Sequence, residues 1–262
     1  MNKIVVYTAI FNNYDWLKEP CVIPENIDFV CFTDTDSLKS KNWKIVKVED
    51  NTISPSLLNR KIKLLYPYTY FKDYEYSLYV DGSVMIKGDV GKFLSPYLAA
   101  KPILMNFKHP NNDCIFVEME RCIQQGRGNA EMLKKQFGIY KANNMPKHFG
   151  MSDNKIILRR NCKESYTLMS EWYDHVSNYS GRDQVCLSYV LWKHALKYNF
   201  FDEIIEQNEY FETWPHRNAP WYMVTWRKMK WYSERSGFGV TLFSFLNKYV
   251  KPLFLRYRGI KK

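Results

Sequence analysis

Apolar runs and polar breaks alternate along the first two hundred residues in the rhythm of an α/β sheet. Lys3 to Phe11 (K-I-V-V-Y-T-A-I-F) is apolar almost throughout, as a buried opening strand is, and Asn12-Asn13-Tyr14-Asp15 turns the chain out of it. Asp28 to Thr33 predicts a second strand that ends at Asp34, and Trp43 to Val48 a third. Ser54-Pro55 supplies an N-cap and a first-turn proline for a helix reaching about Tyr66. Leu57, Leu58, Ile62 and Leu65 form its core face, and Arg60 and Lys63 share another. Tyr76 to Val80 is a further buried strand, broken at Asp81-Gly82 and followed by the short apolar run Val84 to Ile86. Val90 to Ala99 predicts a helix, Ile103 to Phe107 a strand, Cys114 to Gln124 a helix, and Asn129 to Lys141 a polar helix. Ile156 to Arg159 is a short strand preceded by Ser152-Asp153-Asn154. Glu164 to Val176 is an amphipathic helix, Val185 to Leu196 an apolar one, and Phe238 to Leu255 a helix-like stretch interrupted by Lys248 and Lys251.

Chemistry gathers at the breaks. Asp81 stands where an apolar run stops, beside a glycine that lets a ligand or another backbone approach. Ligands of open α/β sheets sit at the carboxyl ends of strands, so Asp81 is placed to hold a metal–diphosphate or a ribose. An Asp-Gly hairpin turn accounts for the same residues. Arg60 and Lys63 lead almost directly into this strand, either as a diphosphate contact or as a solvated basic face. His109, Asp113 and Glu118 cluster after a predicted strand end; Asp113 also fits a helix cap, and His109 a surface loop. Ser180 and Asp183 fit a capping box, which leaves Arg182 and Gln184 unexplained.

With 262 residues, 46% of them apolar and only 11 Gly and 11 Pro, the chain predicts one packed domain over 1–220 and a tail over 221–262. The tail carries ten Lys and Arg against the single acid Glu234, so it holds +9 of the net +11 and leaves the body almost neutral. Its aromatics, with Trp214, His216 and Arg217 just before it, give the composition of a basic interfacial helix attracted to anionic lipid, or of a helix packed on the sheet. Six cysteines show no CxxC pair or metal-ligand spacing and read as buried thiols of a reducing compartment. The opening run reads as a strand, and no apolar run approaches the roughly 20 residues of a membrane span, so the expected location is cytoplasmic. There is no G-x-G-x-x-G and no G-x-x-x-x-G-K, which disfavours dinucleotide oxidoreductases and P-loop NTPases.

Six segments in one order resemble a known family. They are V-Y-T-A-I-F-N-N-Y-D ending at Asp15, F-V-C-F-T-D at 29–34, N-R-K-I-K at 59–63, Y-V-D-G-S at 79–83, K-H-P-N-N-D-C-I-F-V-E at 108–118 and S-G-R-D-Q-V at 180–185. Together they are similar to the glycosyltransferase-like domain of bacterial capsule and lipopolysaccharide proteins and of plant Golgi proteins of pollen and seed mucilage. The resemblance implies an α/β domain of the A-type glycosyltransferase fold, a mostly parallel nucleotide-binding sheet flanked by helices. It implies a nucleotide-sugar donor, with a UDP-hexose the expected type, and a glycan or lipid-linked acceptor of surface polysaccharide synthesis at the inner face of the cell membrane. Thr8, Ala9, Phe11, Asp34, Arg60, Lys63, Asp81, Gly82 and Ser83 would hold the nucleotide; Asp113, Arg182 and Gln184 would meet the substrate; Asp183, His109 and Glu118 are the catalytic candidates. Mn²⁺ or Mg²⁺ is implied on the diphosphate, with Asp81, Ser83 and His216 as ligands. Asp81-Gly82-Ser83 departs from the family's Asp-x-Asp, since a hydroxyl is a weaker ligand than a carboxylate.

Two other classes compete. A nucleotidyltransferase also joins an α/β sheet to acidic ligands, but carries a glycine-rich signature near its first strand, and Tyr7 to Asn13 has no glycine. A nucleic-acid-binding module would use the basic aromatic tail, but predicts a basic face that the near-neutral body lacks, so no nucleic-acid partner is expected.

Overall fold

In the computed structural model, which describes residues 3–235 and 244–250, the chain divides into two compact units, Met1–Thr213 and Trp214–Lys262. The first unit opens with β1 (Ile4–Ile10), β2 (Ile27–Thr33) and β3 (Lys44–Lys47), then α1 (Pro55–Leu65) and the single turn α2 (Pro67–Tyr70). β4 (Tyr76–Val80), β5 (Val84–Ile86), α3 (Val90–Leu98), β6 (Leu104–Lys108), α4 (Ile115–Gln124) and α5 (Ala130–Ala142) follow. The unit continues with β7 (Ser152–Arg160), α6 (Lys163–Asn178), a 3₁₀ turn (Asp183–Val185), α7 (Leu187–Lys193), a second 3₁₀ turn (Ile205–Gln207) and β8 (Phe211–Thr213). In the second unit, α8 spans Trp221–Arg235 and a π-helical turn spans Leu246–Val250. The rest of the predicted 238–255 stretch lies outside the described residues.

Six strands form one sheet in the order β3-β2-β1-β4-β7-β6. β3, β2, β1 and β4 run parallel, and β7 runs antiparallel to both of its neighbours, so the sheet is mostly parallel and flanked by helices. β1 is buried at every position because it lies at the centre with both faces covered. Its alternate residues feed two cores. Val5, Tyr7 and Ala9 pack with Leu58, Ile62, Met119 and Trp172 on one face. Ile4, Val6 and Ile10 pack with Phe93, Leu94 and Phe211 on the other.

Several sequence-based boundaries move. Leu64 and Lys63 are buried on α1, whereas Leu57 and Leu65 are only partly covered, so the helix is rotated toward the lysine. β7 is nine residues long and takes in Ser152-Asp153-Asn154. The predicted helix 185–196 shrinks to a 3₁₀ turn and the seven residues of α7. The Asp-Gly hairpin does not form: β5 pairs with β8 in a separate two-stranded sheet, while β4 pairs with β1 and β7. Between them the Asp81 N–H donates to Lys155 O at 2.7 Å and Val84 N–H to Asp81 O at 2.8 Å. The strand therefore ends in a tight turn at the carboxyl edge of the parallel sheet, with Asp81 at its start.

Candidate active site

The Asp81 turn is closed by its own side chains. Asp81 Oδ1 accepts from the Ser83 N–H at 3.0 Å and from the Ser83 hydroxyl at 2.7 Å, and the Tyr79 hydroxyl donates to Oδ2 at 3.5 Å. Gly82 is required by a close approach: a Cβ there would lie 3.0 Å from both Asp15 Cβ and Ile10 Cγ1. Gly82→Ala is accordingly expected to cost about 1–3 kcal/mol through overpacking. Urea denaturation reads this directly, and an unchanged midpoint would mean that the Asp15 loop does not press on the turn. Lys18 Nζ donates to Gly82 O at 2.7 Å and to Trp16 O at 3.2 Å, pinning the same turn from the far side of the β1 loop.

Beside this turn lies an ion pair between residues 120 apart in sequence. Lys63 Nζ, buried on α1, sits 2.5 Å from Asp183 Oδ2 and 4.9 Å from the centre of the Tyr79 ring. Tyr79 thus links the pair to Asp81. Burial alone would raise the Asp183 carboxyl, but Lys63, Arg60 and Arg182 outweigh it and hold the group at about 2. The Trp172 indole N–H fixes the backbone here by donating to Asp183 O at 2.9 Å. Among the described residues the buried Nε atoms of Arg60 and Arg182 find no hydrogen-bond partner, so each guanidinium keeps donor capacity in a site already rich in positive charge. The capping box is absent. Ser180 Oγ donates to Gln136 Oε1 at 2.8 Å and accepts from the Arg182 N–H at 3.3 Å, and the Asp183 carboxylate is spent on Lys63. Gln184 Nε2 donates to Ser152 O at 3.4 Å.

Glu118 is buried on α4, where Asn112 Nδ2 donates to Oε2 at 3.4 Å and the Cys122 thiol to Oε1 at 3.7 Å. His109 is half-buried, and its Nδ1 accepts from the Asn111 N–H at 3.3 Å, which places the proton of the neutral ring on Nε2. Burial lowers its pKa, against the pull of Glu118 and Asp153. Asp113 does not cap α4. The N-cap residue is Cys114, with no side-chain cap bond; its own N–H donates to Asn112 Oδ1 at 3.1 Å, and Asp113 pairs instead with exposed His148 at 2.7 Å.

The residues expected at the nucleotide take different places in the fold. Asp34 uses both oxygens to accept from the Asn12 N–H, at 3.1 and 2.9 Å, and holds Asn12 and Asn13 at φ 53° and 50°. Phe11 and Ala9 are buried in the core; Ala9 O accepts from Asn59 Nδ2 at 2.7 Å. Thr8 faces the other side of the sheet, its buried hydroxyl without a partner among the described residues. Lys63 is committed to Asp183 rather than turned outward as a phosphate contact. His216 belongs to the second unit. Sequence reasoning missed Lys18, read Asp15 only as part of a turn and a motif, and did not join Asp153 to the partly exposed Lys155, which pair at 2.6 Å. Asn59 heads the N-R-K-I-K segment and was within its reach.

These donors do not suit a divalent ion held by Asp81 and Ser83. The Ser83 N–H and hydroxyl both donate to Asp81 Oδ1, and the Tyr79 hydroxyl donates to Oδ2, so both carboxylate oxygens already accept from the protein. Among the described residues no group of three or more His, Cys, Asp or Glu could hold a metal.

Residues 1–216 match the family described as TOD1/MUCI70, glycosyltransferase-like domain. The chain belongs to this family. The TOD1/MUCI70 match ends close to the boundary of the first unit, so the family domain is the unit that carries Asp81, Lys63 and Asp183. Two relatives come from Arabidopsis thaliana. "Probable hexosyltransferase MUCI70" is 25% identical over 223 residues, covering 75% of this chain and 38% of the relative. "Alkaline ceramidase TOD1" is 24% identical over 245 residues, covering 78% of this chain and 52% of the relative. The chain thus spans about half or less of each relative's length. The apo structure of the WbbM bifunctional glycosyltransferase aligns at 13% identity and a TM-score of 0.43, over 76% of this chain and 39% of that one.

Proposed function

We propose that this TOD1/MUCI70 domain moves a hexose-type sugar from a nucleoside-diphosphate sugar, with UDP as the nucleotide, to a glycan or lipid-linked acceptor. The observation that carries the reading is the buried Lys63–Asp183 pair, with Arg60 and Arg182 around it, beside a turn carboxylate at the mouth of a parallel sheet. Sugar transfer asks for such a division of charge. Cationic donors ease departure of the diphosphate, and a fixed carboxylate steadies positive charge at the anomeric carbon or takes a hydrogen bond from a sugar hydroxyl. Arg60 and Arg182 supply the first, and Asp183 the second.

Asp183 is a poor general base in this setting. A carboxyl held at about 2 and bonded to an ammonium gives little driving force for proton removal near neutral pH. His109, protonated on Nε2 when neutral, is set up to donate. The arrangement favours charge stabilisation by Asp183 over proton abstraction by it.

A hexose fits the name of the MUCI70 relative, and the capsule-like motifs support surface polysaccharide as the product. The lipid-linked acceptor at an inner membrane face rests on the second unit. There Trp221 and Tyr232 are 61% and 69% exposed on α8, which also carries Arg227, Lys228 and Lys230. No described helix is long and apolar enough to cross a membrane.

A thermal-shift screen of nucleotide-sugars, followed by release of nucleoside diphosphate with and without oligosaccharide, tests the reading. A UDP-hexose at about a hundred times its dissociation constant is expected to add roughly 2.7 kcal/mol of stability. The full chain is expected to sediment with anionic vesicles. Fatty-acid release from ceramide, with no response to any nucleotide-sugar, would replace this reading with the chemistry named for the TOD1 relative.

A further inference from the structure

The turn at Asp81 carries a cation of its own. Lys18 lies in the strap that follows the β1 loop, and the strap is tied on both sides. Lys18 O accepts from the Trp43 indole N–H at 3.0 Å, and the Cys21 N–H donates to Ile86 O of β5 at 3.0 Å. The strap thereby crosses the turn and delivers the half-buried ammonium onto Gly82 O at 2.7 Å, with Trp16 O at 3.2 Å as its second acceptor. An ammonium has three N–H groups, so one remains beyond these two carbonyls. Asp15 presses on the same glycine, its Oδ2 3.1 Å from where a Cβ would stand. Neither Asp15 nor Asp81 is within ion-pair distance of Lys18, but both carboxylates act on it electrostatically, while burial lowers its pKa. A positive charge is therefore held at the backbone of the residue that follows Asp81. A metal-dependent transferase would need a divalent ion there, and the donor set at Asp81 and Ser83 does not suit one.

We propose that Lys18 is the resident cation of the donor site: fixed on the Gly82 carbonyl, it offsets the charge of the donor diphosphate, so that a nucleoside diphosphate binds without a divalent metal. The inference rests on the nucleotide-sugar reading and deepens it. Lys18 is a positioning residue for the turn as well as a charge, and the two roles separate experimentally. A purely structural lysine alters binding by the same factor whether or not metal is present. A lysine that stands in for the ion matters most when metal is withheld.

The experiment is calorimetric titration of the full chain with UDP and GDP, once in EDTA and once with Mn²⁺, alongside melting temperatures. The wild type is expected to bind in EDTA within about threefold of its affinity in Mn²⁺. Lys18→Met is expected to lose at least about tenfold in EDTA and to regain part of that loss in Mn²⁺, the gain expected when a group offsetting buried charge is removed and then replaced. Lys18→Arg, which keeps the charge, is expected to stay close to wild type in EDTA. Wild-type binding that appears only with Mn²⁺ overturns the proposal and leaves the donor reading standing. An equal loss for Lys18→Met in both conditions also overturns it, reducing Lys18 to a structural strut. Absence of binding in every condition removes the donor reading and this inference together. The wild-type comparison needs no variant, so a Lys18→Met chain that fails to fold still leaves a decisive arm.

Discussion

Asp183→Asn is expected to reduce sugar transfer by about a thousandfold, the scale set by removing one preorganised electrostatic group, and to destabilise the domain by about 3 kcal/mol. The stability loss follows from the partner. Lys63 is buried, and without the carboxylate its ammonium is left with a neutral amide at 2.5 Å and the face of Tyr79. Breaking a buried pair from one side is costly because a charge is left uncompensated. A helix cap would have cost nearer 1 kcal/mol. The double variant Lys63→Met/Asp183→Leu separates stability from chemistry, because removing both charges together is expected to recover most of the fold and none of the turnover. Melting curves and nucleoside-diphosphate release on the same preparations decide it, and a double variant that transfers sugar at the wild-type rate would remove the pair from the mechanism.

The same pair gives the domain an acid limit. The Asp183 carboxyl is depressed from 3.8 to about 2, so the stability it contributes is full above 3.8 and fades as the pH falls toward 2. The difference amounts to about 2 kcal/mol. The Asp183→Asn chain is expected to lack this contribution, and its stability relative to wild type should converge as the medium is acidified through that window.

Asp81→Asn is expected to leave the fold in place and remove the activity. Both bonds from Ser83 end on Oδ1, and the asparagine amide oxygen can accept both. The change in unfolding free energy is therefore expected to stay within about 1 kcal/mol. Transfer is expected to fall by about a hundredfold or more, because the turn loses the carboxylate of Asp81 while Lys18 and the guanidinium groups remain. Turnover equal to wild type, with an unchanged melting temperature, would show that Asp81 does no more than shape the turn.

Where the charged residues stand was legible in part. Asp81, Arg182 and Asp183 stand at breaks in the apolar pattern, Arg60 and Glu118 on helices the pattern predicts, and all five lie in the first unit. Roles were less legible than positions. Lys63 was expected to meet the donor diphosphate beside Arg60, but α1 turns it inward, where it pairs with Asp183. Asp34 and Phe11 looked like nucleotide contacts, yet one ties down the Asn12 loop and the other fills the core. Lys18 had no signal at all, since one lysine in a short loop has no period against which to stand out.

The order of strands and helices, and the placing of a carboxylate at the end of a buried strand, were fixed by local rules. Apolar period, glycine and proline breaks and caps act over a few residues, and those are written into the chain. The partner of that carboxylate's neighbourhood was not. Whether Asp81-Gly82 closes a hairpin or opens a site depends on which distant strand β5 pairs with, and that pairing went to β8. The joining of Lys63 to Asp183 across 120 residues, and of Lys18 to Gly82 across 64, was decided by the closing of the sheet. Such contacts form only once burial has removed water and left each charge to find its counterpart.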